Sequence, residues 1–343
     1  MTPDLCARLA CIGLVLLAAG CGLDARSFRV EGSFERTLQV EGPVNLEVQT
    51  GSGDIQVRTG DEKTVRIIGR IHANGWARPE VREEVKRVES DPPIQQSGNS
   101  IRVGGPRDWW SLNQVTISYE ITVPVETRLR TRSGSGDQWI DGMRGPVDAG
   151  SGSGRVRIGR TSSEVEVSVG SGDIEVESTG GSLVARAGSG SVRAAAVAGA
   201  VSARTGSGDV EVVQTAAGGV DITTGSGDVF ISGARGPLWI RASSGDVVAE
   251  GEPVANWKLG ASSGDVSVRV PETAAFDVDV HTSSGDIQTD QTLLGSSSFS
   301  RHRLQGRVRG GGPLVEVKTS SGSVHIGQLG NLEAADAKQE SRR

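Results

Sequence analysis

Between Ser133 and Val324 apolar and polar residues alternate in short runs, and the runs are punctuated by Ser-Gly-Asp followed by Val or Ile. Alternation carries the two-residue period of a strand, not the 3.6-residue period of a helix, so the unit is β. After each Gly-Asp turn the inward positions are pairs such as Ile174 and Val176, Val210 and Val212, Val229 and Ile231, or Val266 and Val268. Before the next turn they are Val165 and Val167, Val220 and Ile222, Leu238 and Ile240, or Val315 and Val317. A small third column follows at Ala187, Thr205, Thr224, Ala242, Ala261 and Thr282. Each repeat therefore supplies two short strands.

The repeat has a fixed length. Gly136, Gly154, Gly172, Gly190, Gly208, Gly227, Gly245, Gly264 and Gly285 follow one another at intervals of 18, 18, 18, 18, 19, 18, 19 and 21 residues. A period of this size is the signature of a solenoid. The expected fold is all-β: a single-chain, parallel β-helix-like solenoid of 18 residues and two strands per rung. About eleven rungs spaced by about 4.8 Å would make a rod roughly 50 Å long. Gly322 comes 37 residues after Gly285, which reads as two turns with a degenerate rung between them, and Gly53 carries an outlying copy of the motif. Gln138, Arg155 and the stretch from Gly285 to Gly322 depart from the pattern and predict local irregularity.

Ahead of the repeat, strands are expected at Leu38 to Val40, Val44 to Val48, Ile55 to Val57 and Val65 to Ile71. Val81, Val85 and Val88 then fall at helical spacing, with Pro79 in the first turn and Asp91-Pro92-Pro93 as the stop, so one short N-terminal helix interrupts the β pattern. Ile94 to Val103 reads as a strand or hairpin, Gly104 to Leu112 as a loop and Val115 to Val123 as a strand. An open solenoid end exposes an unpaired edge and a raw core. The segment 21–132 is expected to cap that end, 133–330 to form the repeat solenoid, and the polar tail 331–343 to be disordered.

The first twenty residues change the picture of where the protein works. Arg8 precedes an apolar run from Leu9 to Ala19 that is too short for a membrane-spanning helix and ends in Ala18-Ala19-Gly20-Cys21. This resembles a bacterial lipoprotein signal, 1–20, which implies lipid modification of Cys21 and a membrane anchor through the N-terminal lipid. Gly22, where an inner-membrane retention Asp would stand, favours the outer membrane if the source is Gram-negative. Cys6 and Cys11 would leave with the signal, so no disulfide framework remains. With 49 glycines, 3% aromatics and a net charge of −6, the chain has no basic surplus to attract nucleic acid.

Candidate chemistry is sparse. His72, His281, His302 and His325 are scattered, and Gly260-Ala-Ser262-Ser-Gly264 spells a nucleophile elbow without the strand-to-helix turn that the elbow needs. Polysaccharide lyases and hydrolases on β-helices grow long loops to wall a cleft. Between Gly136 and Gly264 the interval never exceeds 19 residues, which leaves none for such walls. No catalytic or cofactor-binding residue is assigned.

Asp209, Asp228, Asp246, Asp265 and Asp286 share one turn position, with Asp173 and Asp137 further up. Carboxylates stacked about 5 Å apart repel by roughly 1 kcal/mol per pair in water. Compensation comes either from turn N–H groups, of the same rung or the next, or from a cation, Ca²⁺ being the most fitting. Exposed aromatics are the other candidates. Trp257 takes an inward column, Trp239 an outward one, and Trp139 and Phe230 share a second outward column. An outward aromatic can stack on a sugar, anchor a protein partner or lie beneath the N-terminal helix or a loop, and Trp109 and Trp110 either cap the solenoid end or touch a ligand.

Leu46-Glu-Val-Gln-Thr-Gly-Ser-Gly-Asp-Ile55, Val115-Thr-Ile-Ser-Tyr-Glu-Ile-Thr-Val-Pro124, the Ser-Gly-Asp rungs and the closing block from Leu304 to Ile326 together resemble a bacterial β-strand-repeat family of candidate adhesins, a domain of unknown function. The resemblance implies the fold and brings no catalytic residue. The leading expectation is a lipid-anchored, non-enzymatic solenoid of the cell envelope that presents its faces to an unknown protein or polysaccharide partner as an adhesin. The alternative is an envelope scaffold or stress-sensing accessory lipoprotein that self-associates or contacts a membrane partner.

Overall fold

The structure, a computed structural model, describes residues 30–73, 79–104 and 115–329, the side chains of 295–299 excepted. The 1–20 stretch, Cys21, Trp109, Trp110 and the tail 331–343 lie outside the described residues. The strands form two open sheets of fourteen and fifteen, and from Val115–Val123 to Ile287–Thr289 successive strands pass alternately to one and the other. Their inner faces share one hydrophobic core. The expected inward pairs are all buried, and the Ala/Thr column beside them is buried as well. Two-residue alternation therefore converts directly into an inside and an outside.

Parallel registers fix the stack. Val147 pairs with Val165, Val165 with Leu183, and Leu183 with Val201 in one sheet, while Val156, Ile174, Val192 and Val210 follow one another in the other. The glycine column permits this close approach. At Gly208 φ is +140°, and a Cβ there would lie 2.3 Å from the carbonyl oxygen of Gly190 in the rung before. Gln138 is not the irregularity that its polarity predicts. It stays in register between Ile55 and Val156, fully inward, because Nε2 donates to Gly150 O at 2.6 Å and Oε1 accepts from the Thr131 hydroxyl. Arg155 likewise keeps the stack, its backbone N–H donating to Asp137 Oδ1 at 2.8 Å.

Order along the rod differs from order along the chain at both ends. The rung made by Asn45–Thr50 and Ile55–Thr59 pairs on its inner side with Arg128–Ser133 and Gln138–Asp141. On its outer side it pairs, also in parallel, with Ser100–Val103 and Val115–Val123. Gly53 thus belongs to the stack itself, directly against Gly136. At the far end, Leu314–Ser321 and Val324–Gln328 slot between the rung of Trp257–Ser263 and Val266–Val270 and the rung of Phe276–Ser284 and Ile287–Thr289. The long interval from Gly285 to Gly322 is therefore no degenerate rung. It is an antiparallel hairpin, Leu293–Ser300 with Arg303–Val308, laid on the outer edge of Phe276–Ser284. Among the described residues twelve parallel rungs result: eleven carry the glycine turn, Gly53 and Gly322 included, the twelfth comes from 100–123, and the expected degenerate rung is absent.

Antiparallel strands finish the N-terminal end. Thr64–Ala73 pairs with Val115–Val123, and Val30–Gln39 pairs with Thr64–Ala73. Ile94–Ser97 closes the other sheet as a hairpin on Ser100–Val103. The helix Pro79–Ser90 buries Val85 and Val88. It also covers the outermost strand: Glu89 Oε1 accepts the Ser33 N–H at 2.9 Å, and Arg36 donates to the Ser90 carbonyl at 3.1 Å. An otherwise open edge thereby gains partners. Among the described residues, no helix is long and apolar enough to cross a membrane.

Candidate functional site

The aspartate column resolves into a backbone ladder. Asp209 Oδ1 accepts the N–H of Asp228 at 3.0 Å, Asp228 that of Asp246 at 2.8 Å, and Asp246 that of Asp265 at 2.8 Å. Asp265 in turn accepts the N–H of Ser323 at 2.7 Å, and Asp173 that of Ser191 at 3.0 Å. Each carboxylate thus reaches the turn of the next rung. Only the acceptor must be Asp, because every non-proline residue offers a backbone N–H; that is why Ser191, Ser323 and Arg155 occupy the same column without disrupting it. Asp286, on the outermost rung, bonds Arg301 Nε instead at 2.7 Å. Ca²⁺ takes six to eight oxygen ligands. No group of three or more His, Cys, Asp or Glu side chains converges to hold a metal among the described residues.

The outward aromatics sit on both faces. Trp139 is 52% exposed, with Gln56 and Arg157 as its register neighbours. Phe230, in the same column, lies between Glu211 and Val248 and is half-buried. Trp239 is on the opposite sheet, 43% exposed, between Asp221 and Lys258. Trp257 is core, and its Nε1–H donates to Gly236 O at 3.1 Å. Neither exposed tryptophan lies beneath the helix, which packs on Val30–Gln39 and Thr64–Ala73.

Three open grooves accompany these side chains. A groove of 390 Å³ is lined by Trp239 with Asp221, Asn256 and Lys258. One of 330 Å³ is lined by Trp139 with Asp54, Asp137, Arg155 and Arg157. A third, of 360 Å³, is lined by Phe230 with Arg193, Asp209, Glu211 and Asp246. The sequence reading missed one member of the first site, Arg241, whose guanidinium carbon stands 4.3 Å from the centroid of the Trp239 ring. The signal was present, since residues two apart on a strand share a face. A cation held over an indole at an exposed site contributes about 0.5–1 kcal/mol.

Charges between the aromatics alternate. Arg157, Glu175, Arg193 and Glu211 follow one another on adjacent strands, with Arg157 to Glu175 at 4.0 Å and Arg193 to Glu211 at 3.7 Å. All are substantially exposed, so each pair contributes about 0–1 kcal/mol and serves register more than stability. On the Trp239 face, a hydrogen bond from Lys318 holds the Glu316 carboxyl below the ordinary carboxylate range. At the capped N-terminal end, burial pushes the Tyr119 phenol well above its ordinary pKa. Its hydroxyl has no hydrogen-bond partner among the described residues, and its ring meets Phe34 edge-on at 6.4 Å.

No curated protein matches the chain. Among solved structures, a candidate cell adhesion protein from Clostridium sporogenes is similar at 12% identity, covering 87% of this chain and 100% of its own, with a TM-score of 0.21. A candidate adhesin from Parabacteroides distasonis is 9% identical over 86% of this chain and 96% of its own, with a TM-score of 0.38. One from Bacteroides fragilis is 11% identical over 87% and 97%, with a TM-score of 0.32. A family model matches residues 44–327, from the first strand of the stack to the last, and the chain belongs to the Toastrack DUF4097 family.

Proposed function

We propose that the protein is a non-enzymatic binding rod of the cell envelope, anchored by lipid on Cys21, that meets a partner surface through its outward aromatic side chains. The observation that carries this reading is that all three grooves described above are lined by one of Trp139, Phe230 and Trp239. Soluble proteins usually cover large aromatics, and an exposed one held on a rigid sheet is a contact ready made for a sugar ring or a protein side chain. The candidate adhesins among the similar structures fit the same reading. Between Gly136 and Gly264 the connections are too short to wall a catalytic cleft, which favours binding over turnover.

The test is attachment of cells that display the protein to a surface coated with envelope material from sister cells. Replacing Trp139, Phe230 and Trp239 together by Ala is expected to lower attachment by about tenfold or more while the melting temperature stays near that of the parent. Unchanged attachment would sink the proposal. Shaving intact cells with protease is expected to remove the rod, and full protection would argue for a periplasmic role. A second reading, a self-associating scaffold, is favoured by the outermost strand Leu293–Ser300, where Leu294 is 49% exposed. Stable oligomers of the purified protein would support it.

A further inference from the structure

The Trp239 groove differs from the other two in how few charges line it, two against four in the Trp139 groove and five in the Phe230 groove. Its register neighbours are one carboxylate, Asp221, and one ammonium, Lys258, on the strands to either side. Their existing partners hold them loosely, Arg204 at 3.7 Å from Asp221 and Glu316 at 3.6 Å from Lys258. Asn256 also lines the groove, and its Oδ1 already accepts the Leu314 N–H at 2.9 Å, so the NH₂ is the group left to offer. Of the apolar side chains beside Trp239 in the lining, Pro237 is exposed, while Val201, Val220 and Leu238 belong to the core.

Orientation comes from Arg241. Its guanidinium covers the indole at 4.3 Å, and Arg241 is absent from the groove lining, so the groove meets the indole away from that cation. An exposed indole beside Pro237 and three polar side chains matches one ligand chemistry. A pyranose ring has C–H faces that stack on an aromatic ring and equatorial hydroxyls that both donate and accept. An anionic sugar would face the Asp221 carboxylate, and a cationic one would face Lys258. An apolar peptide side chain could pack on Trp239 and Pro237, but it would strip water from three polar groups without replacing their hydrogen bonds.

We propose that the Trp239 groove binds an uncharged pyranose unit of a polysaccharide, with Trp239 as the stacking platform, Asp221, Lys258 and Asn256 as hydroxyl ligands and Arg241 as the positioning residue. This rests on the reading of the protein as an aromatic-lined binding rod.

The test titrates the full-length protein by calorimetry with cellohexaose and with a hexamer of N-acetylglucosamine, and uses polygalacturonate as a charged counter-ligand. At least one neutral hexamer is expected to bind saturably and more tightly than polygalacturonate. Trp239→Ala should weaken it about tenfold or more, Trp239→Phe distinctly less, and Arg66→Ala, on the capped N-terminal end away from all three grooves, hardly at all. Absence of binding by both neutral hexamers, tighter binding of the polyuronate, or an unaffected Trp239→Ala variant would each overturn the assignment. Cell attachment separates the two ideas. If the hexamers fail while the triple aromatic variant still loses attachment, only the sugar site is lost; if they bind at Trp239 while attachment is unchanged, the sugar site stands and the adhesive role falls.

Discussion

From Val147 to Val270 every rung stacks on the rung that precedes it in the chain, whereas at both ends the chain places rungs out of order. Near the N-terminus it lays down the 45–59 rung, moves outward to form the 100–123 rung, and only then returns to start the repeats. Near the C-terminus it leaves one rung's width open after Val270, builds the 276–289 rung and its hairpin, and fills the gap last with 314–328. The middle needs only local stacking between sequence neighbours. The ends need contacts across long stretches of chain. The difference shows how this rod handles its edges: the first and last rungs of the sequence are each hydrogen-bonded on both sides, so neither peels away without breaking two ladders. Three of the four true edges fall to antiparallel strands, Val30–Gln39 with the helix against it, Ile94–Ser97 and Leu293–Ser300, and the fourth to the three-residue parallel strand Ile287–Thr289.

The contrast is most sharply broken by deletion. Ending the chain at Arg309 removes Val315, Val317, Val324 and Ile326, all fully buried. At about 1.5–3 kcal/mol each, their loss approaches the whole stability of a typical domain. A truncated protein is expected to show no cooperative melting by circular dichroism. Removing one middle repeat instead, Val192 to Asp209, joins Ser191 to Val210 in the same register and is expected to leave a shorter rod that still melts cooperatively. Equal damage from the two deletions would contradict the distinction.

Single glycines probe the same difference at smaller scale. Gly208→Ala must hold a positive φ and push a Cβ into the Gly190 carbonyl, so it is expected to cost about 2–4 kcal/mol in urea unfolding. Gly98→Ala, in the capping hairpin, also holds a positive φ, +59°, but meets nothing within 4 Å. About 1 kcal/mol is expected there.

The smallest effect is at Tyr119, the one tyrosine of the chain. Its phenol is raised above 10.0 in the folded state by burial, so the native protein holds the proton more tightly than the unfolded chain. Its contribution is complete below about pH 10 and declines as pH rises beyond it. Tyr119→Phe is expected to be neutral or stabilising by up to about 1 kcal/mol at neutral pH, and to remove this part of the alkaline decline. In the parent, phenolate absorbance should appear together with loss of the β signal. Phenolate appearing near pH 10 in a still-folded protein would show the ring to be accessible.

Alternation and period determined the inside, the outside, the two strands per repeat and the outward placement of Trp139, Phe230 and Trp239, because each is a property of residues close in sequence. The helix was legible for the same reason, through Val81, Val85, Val88 and the prolines around them. The aspartate column could be read as stacked turns compensated by N–H groups of the same rung or the next, or by a cation, but choosing the next rung's N–H as the donor needed the distance between rungs. Gln138 looked like a defect until Thr131 and Gly150 supplied partners from neighbouring strands. Arg241 stood two residues from Trp239 in plain view, yet only packing put its guanidinium over the ring. The order of the terminal rungs belonged wholly to the tertiary structure. A Val-x-Val strand fits any parallel neighbour in register equally well, so the repeat cannot say which rung it joins; closing the core and satisfying the backbone at both ends decides that.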